Sequence, residues 1–303
     1  MLQKFTWKIA LLLAFAFPFS AAYSWWDVGH KTIAEIAYAD LSQEAKESVD
    51  EIVKAFHAHN PSYKTFGDLA TWPDHLEKAE KAFLYTDLHF IVLPFDSDGT
   101  LSKEKLHELL ALSEKGALAS IQKAKEVLSS GKASMTAKFW ALSYLAHVVA
   151  DLHQPLHCCS RFSKQMPEGD FGGNLHKITP PKGISAKNLH QLWDSGAGLL
   201  PTLSGKEQAD AKLVSLFATK ILEEMPKNTL EGESILDPNV WVGESHRIAK
   251  EHVYTLKVGD EPSEEYILAS QAIAKKRIAL ASYRLSGMLS DVFSKADQFV
   301  VKE

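Results

Sequence analysis

The run Tyr144–Cys159, YLAHVVADLHQPLHCC, places three histidines and an aspartate within eleven residues of an otherwise apolar stretch. Residues 134–153 read as a helix with too little polar surface to lie in water, so it belongs at the centre of a helical core. Buried imidazole and carboxylate are costly unless each finds a partner. Positions four apart on a helix share a face, so His147 and Asp151 project side by side. His153 falls on another face and reads as structural or as a support behind the pair. Gln154-Pro155 ends the helix, and His157 follows on the chain that leaves it.

The same spacing recurs in NLHQLWD, where His190 and Asp194 are again four apart on a predicted helix. One such pair is explained by a surface contact. Two, the first trailed by HQPLH, point to metal, because imidazole and carboxylate are the usual ligands of zinc. Asp74 in TWPD and His89 in LHF lie near turns or strand ends, where a fixed backbone can hold a ligand.

The N-terminus adds another element. MLQKFTWK carries two lysines, IALLLAFAFPF is apolar, and SAAYS ends in small residues. This is the three-part pattern of a secretory signal peptide over residues 1–24, with cleavage expected between Ser24 and Trp25. The apolar run is too short to span a bilayer comfortably. Cleavage would leave WWDVGH as the new N-terminus. A free α-amino group titrates near neutrality, so it can bind a metal together with its own carbonyl oxygen. His30 lies five residues on.

The remaining pattern is helical. Helices are expected at 27–40, after a Ser42 N-cap, from a Ser102 cap to about Ser129, after a Ser185 cap, and at about 204–225, 238–256 and 263–294. Residues 60–73 read as loop and a short helix, 88–94 as an extended run ended by Pro94, and 160–186 as a long irregular loop. No repeat or composition shift divides the chain, so residues 25–303 form one mainly α domain. The formal net charge of -5 excludes a protein that wraps a polyanion by its own charge. The two cysteines, Cys158 and Cys159, are adjacent and read as free thiols rather than a disulfide framework.

Taken in order, these residues resemble the S1/P1 nucleases, zinc-dependent enzymes that cut single-stranded nucleic acid. The shared motifs are W-x4-H (Trp25, His30), W-x-D (Trp72, Asp74), L-H-F (His89), H-x3-D-x-H-Q-P-L-H (His147, Asp151, His157), G-G-N (Gly172, Gly173, Asn174) and N-L-H-x2-W-D (His190, Asp194). The resemblance implies a helical domain of the phospholipase C/P1 nuclease type with irregular loops around three zinc ions. It assigns Trp25 and His30 to one ion, Asp74, His89 and His147 to a second, Asp151 as a bridge between them, and His157, His190 and Asp194 to a third. It makes Asp151, Asp74 and Asn174 catalytic. The implied substrates are single-stranded DNA, RNA and nucleotides, with a 5′-phosphate left on the product and 3′-nucleotidase activity beside it. A monomeric, exported enzyme is expected. Three dications also explain how an acidic protein attracts phosphate.

The chain departs from the family in places. Glu77 stands where a basic phosphate contact is usual, so Lys78 or Lys81 is the candidate replacement. Val92 stands where members that prefer adenine carry an acid, which leaves Phe90 as the aromatic face for a base. Two rival readings use the same residues. A zinc-dependent phospholipase C resembles the same three-zinc site, but its last ligand is Glu rather than Asp194, and the GGN loop favours the nuclease. An exported helical protein with a structural metal would close each ion with four protein ligands, whereas nine ligands for three ions leave positions open.

Overall fold

In the computed structural model, residues 25–80, 87–113 and 116–296 are described; the expected signal peptide lies outside them. Helices α1 (Asp27–Asp40), α2 (Gln43–His59) and α3 (Phe66–Glu80) precede a short strand, β1 (Pro94–Asp96). Helices α4 (Lys103–Ser113), α5 (Ala117–Leu128) and α6 (Met135–Asp151) follow, then strand β2 (Ser160–Phe162) and helices α7 (Leu189–Asp194), α8 (Glu207–Glu224), α9 (Pro238–Glu251) and α10 (Glu264–Ala296). The protein is mainly helical, as the periodicity predicts. No helix among the described residues is long and apolar enough to cross a membrane.

Helix α6 is the axis. Every residue from Ala141 to Asp151 is buried, and α1, α2, α3, α5 and α10 pack around it. Ser134 opens it by accepting a hydrogen bond from the Ala137 amide, which satisfies one of the N–H groups a helix start leaves unpaired. A second, smaller apolar cluster, including Leu156, Leu189, Leu192, Trp193 and Tyr254, underlies the irregular segment after β2.

Several expected boundaries move, each for a physical reason. Residues 66–80 form a full helix with Pro73 inside it, so Asp74 sits mid-helix rather than at a turn. The proline has no N–H for the carbonyl four residues back. That carbonyl, of Leu69, instead accepts from the Ser143 hydroxyl of α6 at 2.7 Å. The expected long helix after Ser102 is two helices. A Cβ at Gly116 would lie 2.8 Å from the Asp87 carbonyl oxygen and 2.9 Å from that of Phe90, so the break makes room for the segment that carries His89. The extended run forms its ladder later than predicted: Pro94 begins β1, which pairs parallel with β2. A proline is tolerated at the first residue of a strand. Finally, Asn188, not Ser185, caps α7, accepting from the Gln191 amide.

Candidate metal centre

Three helices and one turn bring the first set of side chains together. His147 and Asp151 come from α6, His30 from α1, and Asp74 from α3, while His89 lies in the turn before β1. All five are buried. His147 Nε2 is 2.9 Å from His89 Nδ1, 3.4 Å from Asp74 Oδ1 and 3.3 Å from Asp151 Oδ2. His30 Nε2 lies 3.5 Å from the other Asp151 oxygen, and its ring stacks on that of His147 with centroids 4.0 Å apart. Asp151 therefore faces two groups with its two oxygens. Two sets of three convergent ligand atoms result: His30, His147 and Asp151, and Asp74, His89 and His147.

The third set, His157, His190 and Asp194, is assembled by a short parallel alignment. The Ile91 amide donates to the His157 carbonyl at 2.8 Å, and His157 Nδ1 returns a bond to the His89 carbonyl at 3.1 Å. This pairing continues into β1–β2 and fixes His157 beside His89. Helix α7 then presents His190 and Asp194 on one face, with His190 Nε2 and Asp194 Oδ2 3.4 Å apart.

The ring orientations are set by backbone carbonyls. His147 Nδ1 donates to the Ala70 carbonyl at 2.8 Å, and His190 Nδ1 to that of Gly172 at 2.7 Å. With the His157 bond, three imidazoles have their Nδ1 protons committed outward. Their Nε2 lone pairs are left facing the cluster, the tautomer a metal requires. The Ala70 carbonyl lies in α3 next to the Leu69 carbonyl that Pro73 leaves free for Ser143, so the turn before Pro73 helps to hold His147.

The cluster has atoms that its own residues do not satisfy. Among the described residues, both nitrogens of His30, both oxygens of Asp151 and His157 Nε2 are buried without a hydrogen-bond partner. Such groups are expensive to leave unmade. A cation is the partner that a converging set of nitrogen lone pairs and carboxylate oxygens fits, so the donor set suits zinc.

Charge is unevenly distributed. Burial, with His147 beside it, drives the pKa of His30 down to about 3. Burial also opposes charge on His147, but Asp151 and Asp74 prevail and raise it to about 9. Burial would raise Asp151, yet His147 and its neighbours hold it at about 2. Asp74 is likewise held below the usual carboxylate range against burial, chiefly by His147. In the third set, burial pushes Asp194 well above its ordinary value, although a hydrogen bond from Gln154 works against the rise.

A profile of the family described as S1/P1 Nuclease matches residues 25–294. The chain belongs to the S1/P1 nuclease family. Endonuclease 1 of Arabidopsis thaliana is 28% identical, the match covering 91% of this chain and 89% of the relative. Endonuclease 2 of the same plant is 24% identical over 94% and 95%. Nuclease S1 of Aspergillus oryzae (strain ATCC 42149 / RIB 40) is 23% identical over 90% and 93%.

The remaining predicted residues of this nuclease-family chain sit around the clusters. Trp25 is fully buried, and its indole N–H donates to the Ala150 carbonyl at 3.0 Å. The Trp26 amide donates to the Asp194 carbonyl at 3.1 Å. The N-terminal segment is thus tied to both α6 and α7. Gly29 permits this, because a Cβ there would meet Trp25 Cβ at 2.6 Å. Phe90 and Asn174 are half-buried, and Asn174 Nδ2 donates to the Phe171 carbonyl at 3.0 Å. The side chains of Glu77, Lys78 and Lys81 lie outside the described residues. A groove of about 280 Å³ lined by Trp26, Asp27, Val28 and Asp74 opens at this edge. A larger one of about 860 Å³ lies between α1, α2, α3 and α8 and includes none of the clustered residues.

His153 is structural, as its helical face predicts: Nδ1 donates to the Val149 carbonyl, and Nε2 accepts from Arg284 at 2.9 Å. Both cysteines are free and buried, and burial pushes the Cys158 thiol up to about 12. Sequence reasoning missed the supports. Gln154 donates to Asp194 Oδ1 at 2.7 Å, which orients the other oxygen toward the histidines. Ser245 of α9 caps the Leu152 carbonyl at 2.6 Å, and Arg277 of α10 caps that of His153 at 3.1 Å. The available signal was two arginines seven apart, Arg277 and Arg284, on an apolar stripe of α10. Both pair with Glu244.

Proposed function

We propose that the chain is an exported zinc-dependent phosphodiesterase that hydrolyses single-stranded DNA and RNA to 5′-nucleotides, with 3′-nucleotidase activity at the same centre. The observation that supports this reading is the convergence of three buried His/Asp sets, within which both His30 nitrogens, both Asp151 oxygens and His157 Nε2 have no hydrogen-bond partner among the described residues. Family membership supports the nucleic-acid substrate.

In this reading the Trp25 amino and carbonyl groups with His30 hold one ion, and Asp74, His89 and His147 hold a second. Asp151 would be shared by the two, and His157, His190 and Asp194 would hold the third. Bound zinc supplies Lewis acidity and a water that ionises near neutral pH. The chain's residues supply the geometry. The carbonyls of Ala70 and Gly172 accept the Nδ1 protons and so turn Nε2 of His147 and His190 toward the cluster. Asn174 stands at the rim to contact the scissile phosphate, and Phe90 offers a face to a base. Lys78 takes the phosphate contact that Glu77 cannot make. The pocket stays open because nine ligands for three ions leave room for water and substrate. Cleavage after Ser24 frees the Trp25 amine.

The test is release of acid-soluble 5′-nucleotides from denatured DNA and RNA by mature protein beginning at Trp25, with and without chelator. Chelator-sensitive release is the expected result. Zinc-replete protein that releases none but cleaves phosphatidylcholine would overturn the reading in favour of a phospholipase C.

A further inference from the structure

Helix α6 ends inside the protein, where the carbonyls of a last turn lack partners within the helix. From Val149 to His153 each finds a donor all the same. The Val149 carbonyl accepts from His153 Nδ1 at 2.7 Å, that of Ala150 from the Trp25 indole at 3.0 Å, and that of Asp151 from the Gln154 amide at 2.9 Å. The Ser245 hydroxyl serves Leu152 at 2.6 Å, and Arg277 Nε serves His153 at 3.1 Å. Ser245, Arg277 and Arg284 are all buried, and the two guanidiniums share one carboxylate, that of Glu244.

Arg284 by itself neutralises that carboxylate. Its two Nη atoms meet the two Glu244 oxygens at 2.7 and 2.8 Å, the bidentate geometry in which such pairs are strong. Arg277 adds one contact to Glu244 through Nη1 and turns its other donors elsewhere. Nε holds the His153 carbonyl, and Nη2 donates to Ser245 Oγ at 2.8 Å and to the Trp241 carbonyl at 3.3 Å. The Ser245 hydroxyl donates in turn to Leu152, so one guanidinium serves two consecutive carbonyls at the end of α6, one directly and one through Ser245. A cation suits this place, because the C-terminal end of a helix is its negative pole. Burying a second guanidinium beside a carboxylate that already has a partner is costly, so pairing with Glu244 does not account for Arg277.

The carbonyl it holds does. The His153 carbonyl and the Gln154 N–H belong to one peptide unit, pinned by Arg277 on one side and by the Asp151 carbonyl on the other. Gln154 then serves the third ligand set twice. Its side chain donates to Asp194 Oδ1 at 2.7 Å, and its carbonyl accepts from the His157 amide at 3.0 Å. We infer that Arg277 is a positioning residue for the third ligand set: by fixing the His153–Gln154 peptide it places His157 and aims Asp194. The assignment rests on the three-zinc reading above and adds to it a residue that acts through the turn. His30 comes from α1, and the His147 ring is held by the Ala70 carbonyl of α3, so the influence of Arg277 falls on one end of the centre.

Arg277→Met and Arg284→Met test this, because each removes one buried guanidinium and leaves the other paired with Glu244. Zinc-loaded mature protein is titrated with chelator, and the zinc retained per chain is measured. Arg277→Met should release one ion at about tenfold lower chelator with the other two unmoved, whereas Arg284→Met should release all three as the parent protein does. Arg277→Met combined with Gln154→Leu should lose no more zinc affinity than Gln154→Leu alone, because residues that act through one shared partner do not add. Metal release in Arg277→Met identical to that of the parent overturns the assignment while leaving the three-zinc reading intact. Uniform weakening of all three ions, equal weakening in the two arginine variants, or full additivity with Gln154→Leu overturns it as well. Where Arg277→Met fails to fold, Arg277→Lys replaces it: the charge is kept, but one ammonium cannot reproduce the guanidinium fork. Weaker binding at the third set alone is then the expected result, and parental affinity there overturns the assignment. A parent protein that binds fewer than three ions removes the three-zinc reading, and the assignment falls with it.

Discussion

The two sides of the metal centre carry their negative charge in different ways. Around Asp151, two carboxylates face three imidazoles, and the groups compensate one another: His147 rises to about 9 while Asp151 falls to about 2. Around Asp194, one carboxylate faces two imidazoles of which His157 is pushed toward neutrality by burial. Its firmest support is the uncharged amide of Gln154, and burial pushes it well above the carboxylate range. The first side is a network that balances itself before any cation arrives. The second is an uncompensated carboxylate whose ionised form depends on a cation. One site can therefore be pre-organised by charge at one end and completed by its metal at the other.

The sharpest way to break this comparison is Asp151→Asn. Losing the carboxylate that faces both sets lowers activity by at least about a hundredfold and reduces bound zinc. Full activity with full metal content would remove Asp151 from the centre. Next comes an extra residue before Trp25. Displacing the α-amino group costs roughly ten- to a hundredfold in activity, by the scale of altered metal ligation, with the loss concentrated at the Asp151 side. An extended protein as active as the mature one would show that the amine is not a ligand. Gln154→Leu acts on the other side. On the proposed three-zinc reading it weakens metal binding at the third set about tenfold, read by chelator competition, while binding at the other two sets keeps its affinity. Uniform weakening of all three would contradict the division drawn here.

The two sides also differ in the sign of their pH dependence in chelated protein. Asp194 has a folded pKa above its unfolded one, so stability is full at low pH and is lost as pH rises through the raised value. Asp151 has a depressed folded pKa, so its contribution is present above the ordinary carboxylate range and is lost as pH falls toward about 2. Thermal melting of chelated Asp194→Asn should lose the first slope, and chelated Asp151→Asn the second. The same slope in both variants would erase the distinction. The smallest effect is at Asn188→Ala, which removes the cap of α7 and costs about 1 kcal/mol of stability. A loss confined to denaturant midpoint, with zinc binding unchanged, would show that α7 is held by its packing.

Much of the clustering was legible because residues that share a helix face obey rigid spacing. His147 with Asp151, and His190 with Asp194, could be paired from the helical repeat alone, and Asp74, His89 and His157, which the structure brings beside them, followed from ordered motifs. What sequence did not show was carried by backbone. The carbonyls of Ala70, Gly172 and His89 aim three rings, and a carbonyl has no letter of its own. Asp74 was read as lying near a turn because Pro73 is ordinarily a helix breaker. The residues that close α6, Ser245 and Arg277, lie far along the chain in segments that read only as scaffold. Glu77 and Val92 mark departures whose effect depends on substrate, so spacing is silent about them.

Pro73 inside α3 has a consequence for attempts to strengthen the protein. Helix α3 would gain an internal hydrogen bond from Pro73→Ala, and by local propensity the change is favourable. But the acceptor regained by α3 is the Leu69 carbonyl that Ser143 now uses, and the next carbonyl, of Ala70, is the one that holds the His147 ring, so a shift of this turn disturbs both. The variant should melt higher in chelator and bind zinc less tightly. A helix improved in isolation would be a poorer partner. Selection for thermal resistance alone would thus erode the centre from a position that touches no metal, and a stabilised variant of this chain needs its zinc affinity measured before its melting point is trusted.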